Sequence, residues 1–253
     1  NIGYVPRSRK AATASVSFFV DCSGVIPTPA TLTLKKGPIA SSEGAFGGQS
    51  FIFSILEDIT VPVNDGIAYF DDIIISEGTL LTSNFTYSGR NPNQKFILPN
   101  SGIDTALIAV SVKGNQQSTT STKYTTQDSL LDIKSDSKVY YLQEIENERY
   151  EIFFGDGIFG KKLEEGNFIT INYITCNGDS ANGVNQFQFS GKLTYTRNSQ
   201  EYTVTSGISL LTTGVTAVSY THLRAHETPE HRGWRRRGEK KKGGGGGGGG
   251  GGG

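Results

Sequence analysis

Short runs in which apolar and polar residues alternate recur along this chain, and turn residues separate them. Ala14–Asp21 reads ASVSFFVD, Ala30–Lys35 ATLTLK, Ser50–Leu56 SFIFSIL and Phe168–Thr175 FITINYIT. Similar runs lie at Ile73–Ser76, Leu80–Tyr87, Ala106–Lys113, Val139–Glu144, Tyr150–Phe154, Lys192–Thr196 and Tyr202–Thr205. They are rich in Val, Ile, Thr, Tyr and Phe, which suit a pleated, half-buried surface. Between them stand Asn64-Asp65-Gly66, Ser88-Gly89, Asn100-Ser101-Gly102, Glu146-Asn147-Glu148 and Gly155-Asp156-Gly157. No helical stripe is sustained, apart from one turn's worth at Ser129–Ile133. The pattern predicts a mainly β, antiparallel body of sandwich-like units. It predicts a hairpin of Val139–Glu144 with Tyr150–Phe154 around Glu146-Asn147-Glu148, and a hairpin turn at Asp156-Gly157.

The polar stretch Gly114–Gln127 can be a linker between two β units or a pair of polar edge strands. Two packed subdomains are expected, one over residues 1–115 and one over 116–217. Beyond Ala217 the composition changes. Val218–Thr228 (VSYTHLRAHET) reverse-translates into one frame of a transposase library adapter; Lys240–Lys242 fits an A-run and Gly243–Gly253 a G-run. Residues 218–253 are therefore expected to be a non-native, disordered tail that packs on nothing, the alternative being a genuine basic, Gly-rich flexible tail. The absence of Met and the start at Asn1 suggest a fragment or a processed form.

Setting the tail aside changes the chemistry. All three histidines, the only tryptophan and the WRRR cluster lie in it. Removing its eight basic and three acidic residues from 24 of each leaves 16 against 21, a net charge of −5. Nothing then favours nucleic acid. Without His, neither Ser-His-Asp nor Cys-His catalysis can be assembled. Two cysteines without His cannot complete a zinc site. Cys22 and Cys176 read as buried free thiols at strand ends, with a disulfide or a reactive thiol as the alternative. FGDGIFG lacks the spacing of a phosphate loop. NGDSANG lacks the carboxylate ladder of a calcium loop. Asp71-Asp72 and Glu144, Glu146 and Glu148 could be imagined as acid pairs, but acids near turns are ordinarily solvated. No catalytic, cofactor-binding or metal-ligating residue is expected, and no cofactor.

Four strings together resemble one family: GYVPRSRKAATASVSF (3–18), EGTLLTSNFTY (77–87), KFILPNSGIDTALIAVSV (95–112) and, above all, the stretch from Ser135 to Gly183 that contains YEIFFGDGIFGKKLEEGN. They are similar to the baseplate wedge proteins of T-even-type contractile-tailed phages, relatives of the baseplate-J-like proteins. The resemblance spans Ile2 to Ala217 and implies an internal piece of a longer protein. It implies a non-enzymatic virion protein of the tail baseplate, assembled in the host cytoplasm. Its partners would be a second copy and other wedge subunits, joined in a ring around the hub that takes part in the contraction trigger. No nucleic acid, membrane or small-molecule substrate is implied. The alternative is a receptor- or carbohydrate-binding β-sandwich of a tail fibre. That needs clustered exposed aromatics, whereas Tyr87, Tyr124, Tyr140, Tyr141, Tyr150 and Tyr173 are scattered along the chain.

Overall fold

The computed structural model describes residues 8–46, 49–91, 93–126 and 133–219. The tail from Tyr220 onward and all of the suggested turn but Ile133 lie outside the described residues. Seventeen strands and two short 3-10 turns make up the described chain. Every strand pairing is antiparallel.

The strands fall around two cores. The first gathers β1 (Thr13–Asp21), β2 (Thr31–Leu34), β3 (Gly37–Phe46), β4 (Gln49–Ile55), β5 (Ile59–Asn64) and β6 (Ile67–Glu77). It also takes β14 (Gln188–Phe189), β15 (Leu193–Arg197), β16 (Gln200–Val204) and β17 (Thr212–Val218) from the other end of the chain. Its interior holds Val16, Phe18, Leu32, Leu34, Phe53 and Phe70, with Phe18 stacked on Phe70 at 4.8 Å. The second core lies between two facing sheets. One is β10 (Ser121–Tyr124), β9 (Ile103–Lys113), β13 (Phe168–Thr175) and β7 (Thr79–Thr86). The other is β11 (Tyr140–Ile145), β12 (Arg149–Phe154) and β8 (Phe96–Ile97). Ile108, Val110, Ile169, Ile171 and Tyr173 meet Phe96, Tyr140, Tyr150 and Ile152 there. Alternation explains both: β1 buries Ala14, Val16, Phe18 and Val20 and turns the residues between them outward.

The units are nested. The outer one uses residues up to Glu77 and from Ala181 onward, and the inner one is inserted between. A boundary at 115/116 coincides with neither core, because β9 pairs with β10 across it from Lys113↔Ser121 to Val110↔Tyr124. Gly114–Thr120 is thus the connection of a hairpin. At the C-terminal end, Val218 pairs with Thr13, and buried Ser219 donates its N–H to Asn182 Oδ1 at 2.6 Å. Both residues belong to the outer unit, which corrects the expectation that they pack on nothing: the strand pattern runs two residues past the change in composition.

The hairpin expected around Glu146-Asn147-Glu148 forms, from Tyr140↔Phe154 to Ile145↔Arg149. Asn147 turns the corner in the left-handed region at φ 63° and ψ 40°. Asp156-Gly157 is a turn but not a hairpin: β12 ends at Phe154, and the chain next enters a strand at Phe168, in the facing sheet.

Candidate functional site

The residues with unusual environments lie in two places: the neck where the chain crosses between the units, and the loop that follows β12.

At the neck, β6 runs into β7 through Gly78, and β13 returns through Cys176 and Asn177. Gly78 has φ 129°, and a Cβ there would lie 2.3 Å from the Thr175 carbonyl oxygen. Only glycine lets the two crossings come this close. Gly78 N–H donates to Ile52 O (2.8 Å), and Ser54 Oγ donates to Gly78 O (2.8 Å). Glu77 is buried, and its carboxylate accepts both the N–H (3.0 Å) and the Nδ2 (2.8 Å) of Asn177. Burial pushes the Glu77 carboxyl above its usual range near 4.5, against the lowering effect of those two hydrogen bonds.

A second buried carboxylate ties the N-terminal segment to the inner unit. Asp104 accepts from Lys10 Nζ, Ala11 N–H and Ala106 N–H, each at 3.0 Å. Ser8 Oγ lies 2.8 Å from Thr105 Oγ1, and Arg9 pairs with Glu148 at 3.4 Å. Residues 8–11 are therefore a strap on the inner unit, while Ala12 and Ala14 sit in the outer core.

The raised Glu77 pKa has a measurable sign. The folded chain holds this proton more tightly than the unfolded chain. The group's contribution to stability is thus full at acid pH and falls as pH rises through the raised value. Denaturant midpoints of the wild type and of Glu77→Gln, compared from acid to neutral pH, should show the glutamine variant gaining on the wild type as pH rises. A pH-independent difference would mean that Glu77 titrates alike in both states.

The loop after β12 is built around Asp156. Its Oδ1 accepts the N–H groups of Ile158 and Phe159, both at 2.8 Å. These bonds hold the Asp156 carboxyl below its usual range. Gly157 N–H donates to Gly160 O, Gly160 N–H to Lys134 O and Lys161 N–H to Ser137 O. Five consecutive N–H groups are thus satisfied. Gly155 and Gly160 lie back to back, so that a Cβ on Gly155 would come 2.2 Å from the Gly160 carbonyl carbon. The loop holds Ile158 (69% exposed) and Phe159 (53%) out in solvent. Changing Asp156 to alanine should accelerate hydrogen exchange at the Ile158 and Phe159 amides and leave exchange in the β13 core strand unchanged. The same loss of protection, measured against the intrinsic exchange rate at each pH, should appear in the wild type as pH falls through the lowered Asp156 value.

The other residues singled out on the sequence have structural places. Cys22 and Cys176 are buried and unbridged, and burial pushes both thiols up. Asp71-Asp72 forms a bulge in β6 opposite β1: the register shifts between Val16 and Phe18, Asp72 takes φ 52°, and its N–H bonds Ser17 Oγ at 2.9 Å. Glu146 and Glu148 are exposed in the 3-10 turn. NGDSANG is a fastener: Asn177 clamps Glu77, and Asn182 Nδ2 donates to Ser219 Oγ at 3.1 Å. Among the described residues, no three His, Cys, Asp or Glu side chains converge to hold a metal. The sequence pattern does not single out Glu77, Asp104 and Lys10. An acid at a strand end reads like a solvated turn residue, and the one available signal, Glu77 directly before Gly78, is weak.

Residues 79–182 match the family described as bacteriophage baseplate wedge protein gp6, third domain. This stretch is similar to the phage baseplate wedge proteins. The chain is 23% identical over 209 residues to the baseplate wedge protein gp6 of Enterobacteria phage T4. The match covers 76% of this chain and 30% of that protein, so the chain spans under a third of its curated relative. The matched stretch begins at Thr79, just past the glycine of the neck, contains every strand of the inner unit, and runs on past the returning crossing to Asn182, which bonds Ser219 of the outer unit.

Proposed function

We propose that this chain is a structural block of a phage tail baseplate wedge, a virion component assembled in the host cytoplasm. In this reading it binds a second copy and other wedge subunits, links them into the ring around the tail hub and passes on the contraction trigger. The observation that carries the reading is that residues 79–182, which match the third wedge-protein domain, take in every strand of the inner unit, from Thr79 to Thr175. A rigid, doubly clamped neck suits a part that must transmit force between neighbours. The reading is non-enzymatic: the carboxylates Glu77 and Asp104 are engaged with backbone N–H groups, and the groove that Glu77 lines beside Arg9 and Cys176 has no second acid in its lining.

The test is co-expression with the wedge proteins of a contractile-tailed phage, followed by sizing and electron microscopy. Co-assembly into wedge-sized particles is the expected result. A chain that ignores those proteins and instead binds or hydrolyses a glycan would overturn the proposal.

A further inference from the structure

The exposed Ile158 and Phe159 have no role in either core, yet the loop that carries them is held by hydrogen bonds from five consecutive N–H groups, two of them to the Asp156 side chain, and by a glycine–glycine contact. Apolar side chains held rigidly in water lose little freedom on docking, which is how a binding anchor works. Lys161 and Lys162 follow them directly, and Lys134 and Lys138 flank the segment from which the loop hangs. The anchor is thus apolar with a basic collar, in which Lys161 makes an exposed pair with Glu164 at 3.5 Å, on a body whose net charge is negative.

The same chain carries a groove of matching character. It has a volume of about 510 Å³. Ile55, Leu56, Ile74 and Leu107 line it, with Glu57 and Asp58 in its wall. Ile74 is 62% exposed there, on the outward face of β6. Glu57 and Asp58 are paired within the chain to Lys123 and Lys35. The Glu57–Lys123 pair is exposed, worth little and readily exchanged for another cation, whereas Asp58 also accepts the Lys36 N–H at 2.8 Å and its partner Lys35 is partly buried. The other large groove, beside Phe187, Phe189 and Ile208–Leu211, has no charged residue in its lining and offers the basic collar nothing.

We propose that the Ile158–Phe159 loop of one copy inserts into the Ile74 groove of a second copy, with Lys161 and Lys162 facing Glu57 and Asp58. The contact is head-to-tail: knob and groove are different surfaces, so each copy keeps one of each free. Such contacts propagate into a ring or an open row, according to the rotation per copy. A plug of two side chains is small, so the contact is weak between free copies and gains strength where other subunits already hold the copies side by side. The proposal rests on the assembly reading above, but it can fail alone. Co-assembly with wedge proteins would then persist while the test below came out negative.

Disulfide trapping suits a weak contact, and the native thiols are buried and do not compete. Full chains carrying Phe159→Cys are mixed with full chains carrying Ile74→Cys under mild oxidation. The comparison is a mixture of Phe159→Cys with Leu210→Cys, whose site is 89% exposed and lies beside the uncharged groove. The first mixture should cross-link at least about tenfold faster, because docking raises the local concentration of the two thiols. Lys162→Glu on the first partner should slow trapping, and Glu57→Lys on the second should restore it. Equal rates in the two mixtures, or no rescue by the charge exchange, would overturn the proposal. The melting temperatures of the cysteine variants guard against a folding defect, and Ile158→Cys provides a second knob position.

Discussion

A Gly78→Ala protein is expected to be less stable than the wild type by about 3 to 5 kcal/mol, from backbone strain plus overpacking. Two effects add. Alanine must adopt φ 129°, a conformation that L side chains rarely take, and its Cβ must sit 2.3 Å from the Thr175 carbonyl oxygen and 2.6 Å from Ile174 Cγ2. Both neighbours belong to a central strand whose register is fixed by β7 on one side and β9 on the other, so neither can retreat cheaply. Against a typical total of about 5 to 15 kcal/mol, this threatens the fold. Equilibrium denaturation is the measurement, with hydrogen exchange in β6 and β13 locating the loss. A change below about 1 kcal/mol, the ordinary Gly-to-Ala difference in a regular element, would show that the crossings are not as close as described.

The second large effect belongs to Asp104. Asp104→Ala removes the acceptor of the Ala11 and Ala106 N–H groups and the partner of Lys10. Leaving a buried donor unpaired costs about 1 to 3 kcal/mol, so a loss of about 2 to 4 kcal/mol is expected. Lys10→Ala should cost less, about 1 kcal/mol or under, since its side chain is more than a third exposed and the two N–H bonds to Asp104 survive. Beyond the loss of stability, Asp104→Ala should free residues 8–11 from the inner unit, so limited proteolysis ought to cut there first while the β13 strand stays protected. Protection of the strap in Asp104→Ala equal to that of the wild type would contradict the assigned role.

Much of the strand inventory could be read from alternation, because each strand has one face on a core. Phe168–Thr175 was legible in full, and the β11–β12 hairpin in its pairing. The strands that escaped have identifiable reasons. In β5, Pro62 reads as a breaker, yet it sits beside Thr31 and beyond the two residue pairs that join β5 to β6, where no second ladder needs its missing N–H. In β3, glycine, proline and serine mask a strand held by β4 and β14. The nesting of the units was not legible, since periodicity tells which face is buried but not which distant segment buries it. The neck was not legible either. Glu77 and Asp104 owe their character to burial and to donors about a hundred positions away along the chain, and no local pattern encodes that.

Nesting also bears on the order in which the molecule can form. Every strand of the inner unit lies between Thr79 and Thr175, so its strands are complete before β14 to β17 of the outer unit have been synthesised. The outer sheet instead joins β1 to β17 and β2 to β15 across most of the chain. Closing a flexible loop of 100 residues between Glu77 and Asn177 would cost about 4 kcal/mol in chain entropy. Once the inner unit has formed, its own β7–β13 pairing already brings Thr79 beside Thr175, and that cost no longer falls on the outer sheet. The inserted unit thereby acts as a kinetic staple: it shortens the effective separation that the late strands must bridge, and with it the time during which their edges are open to pairing with another chain.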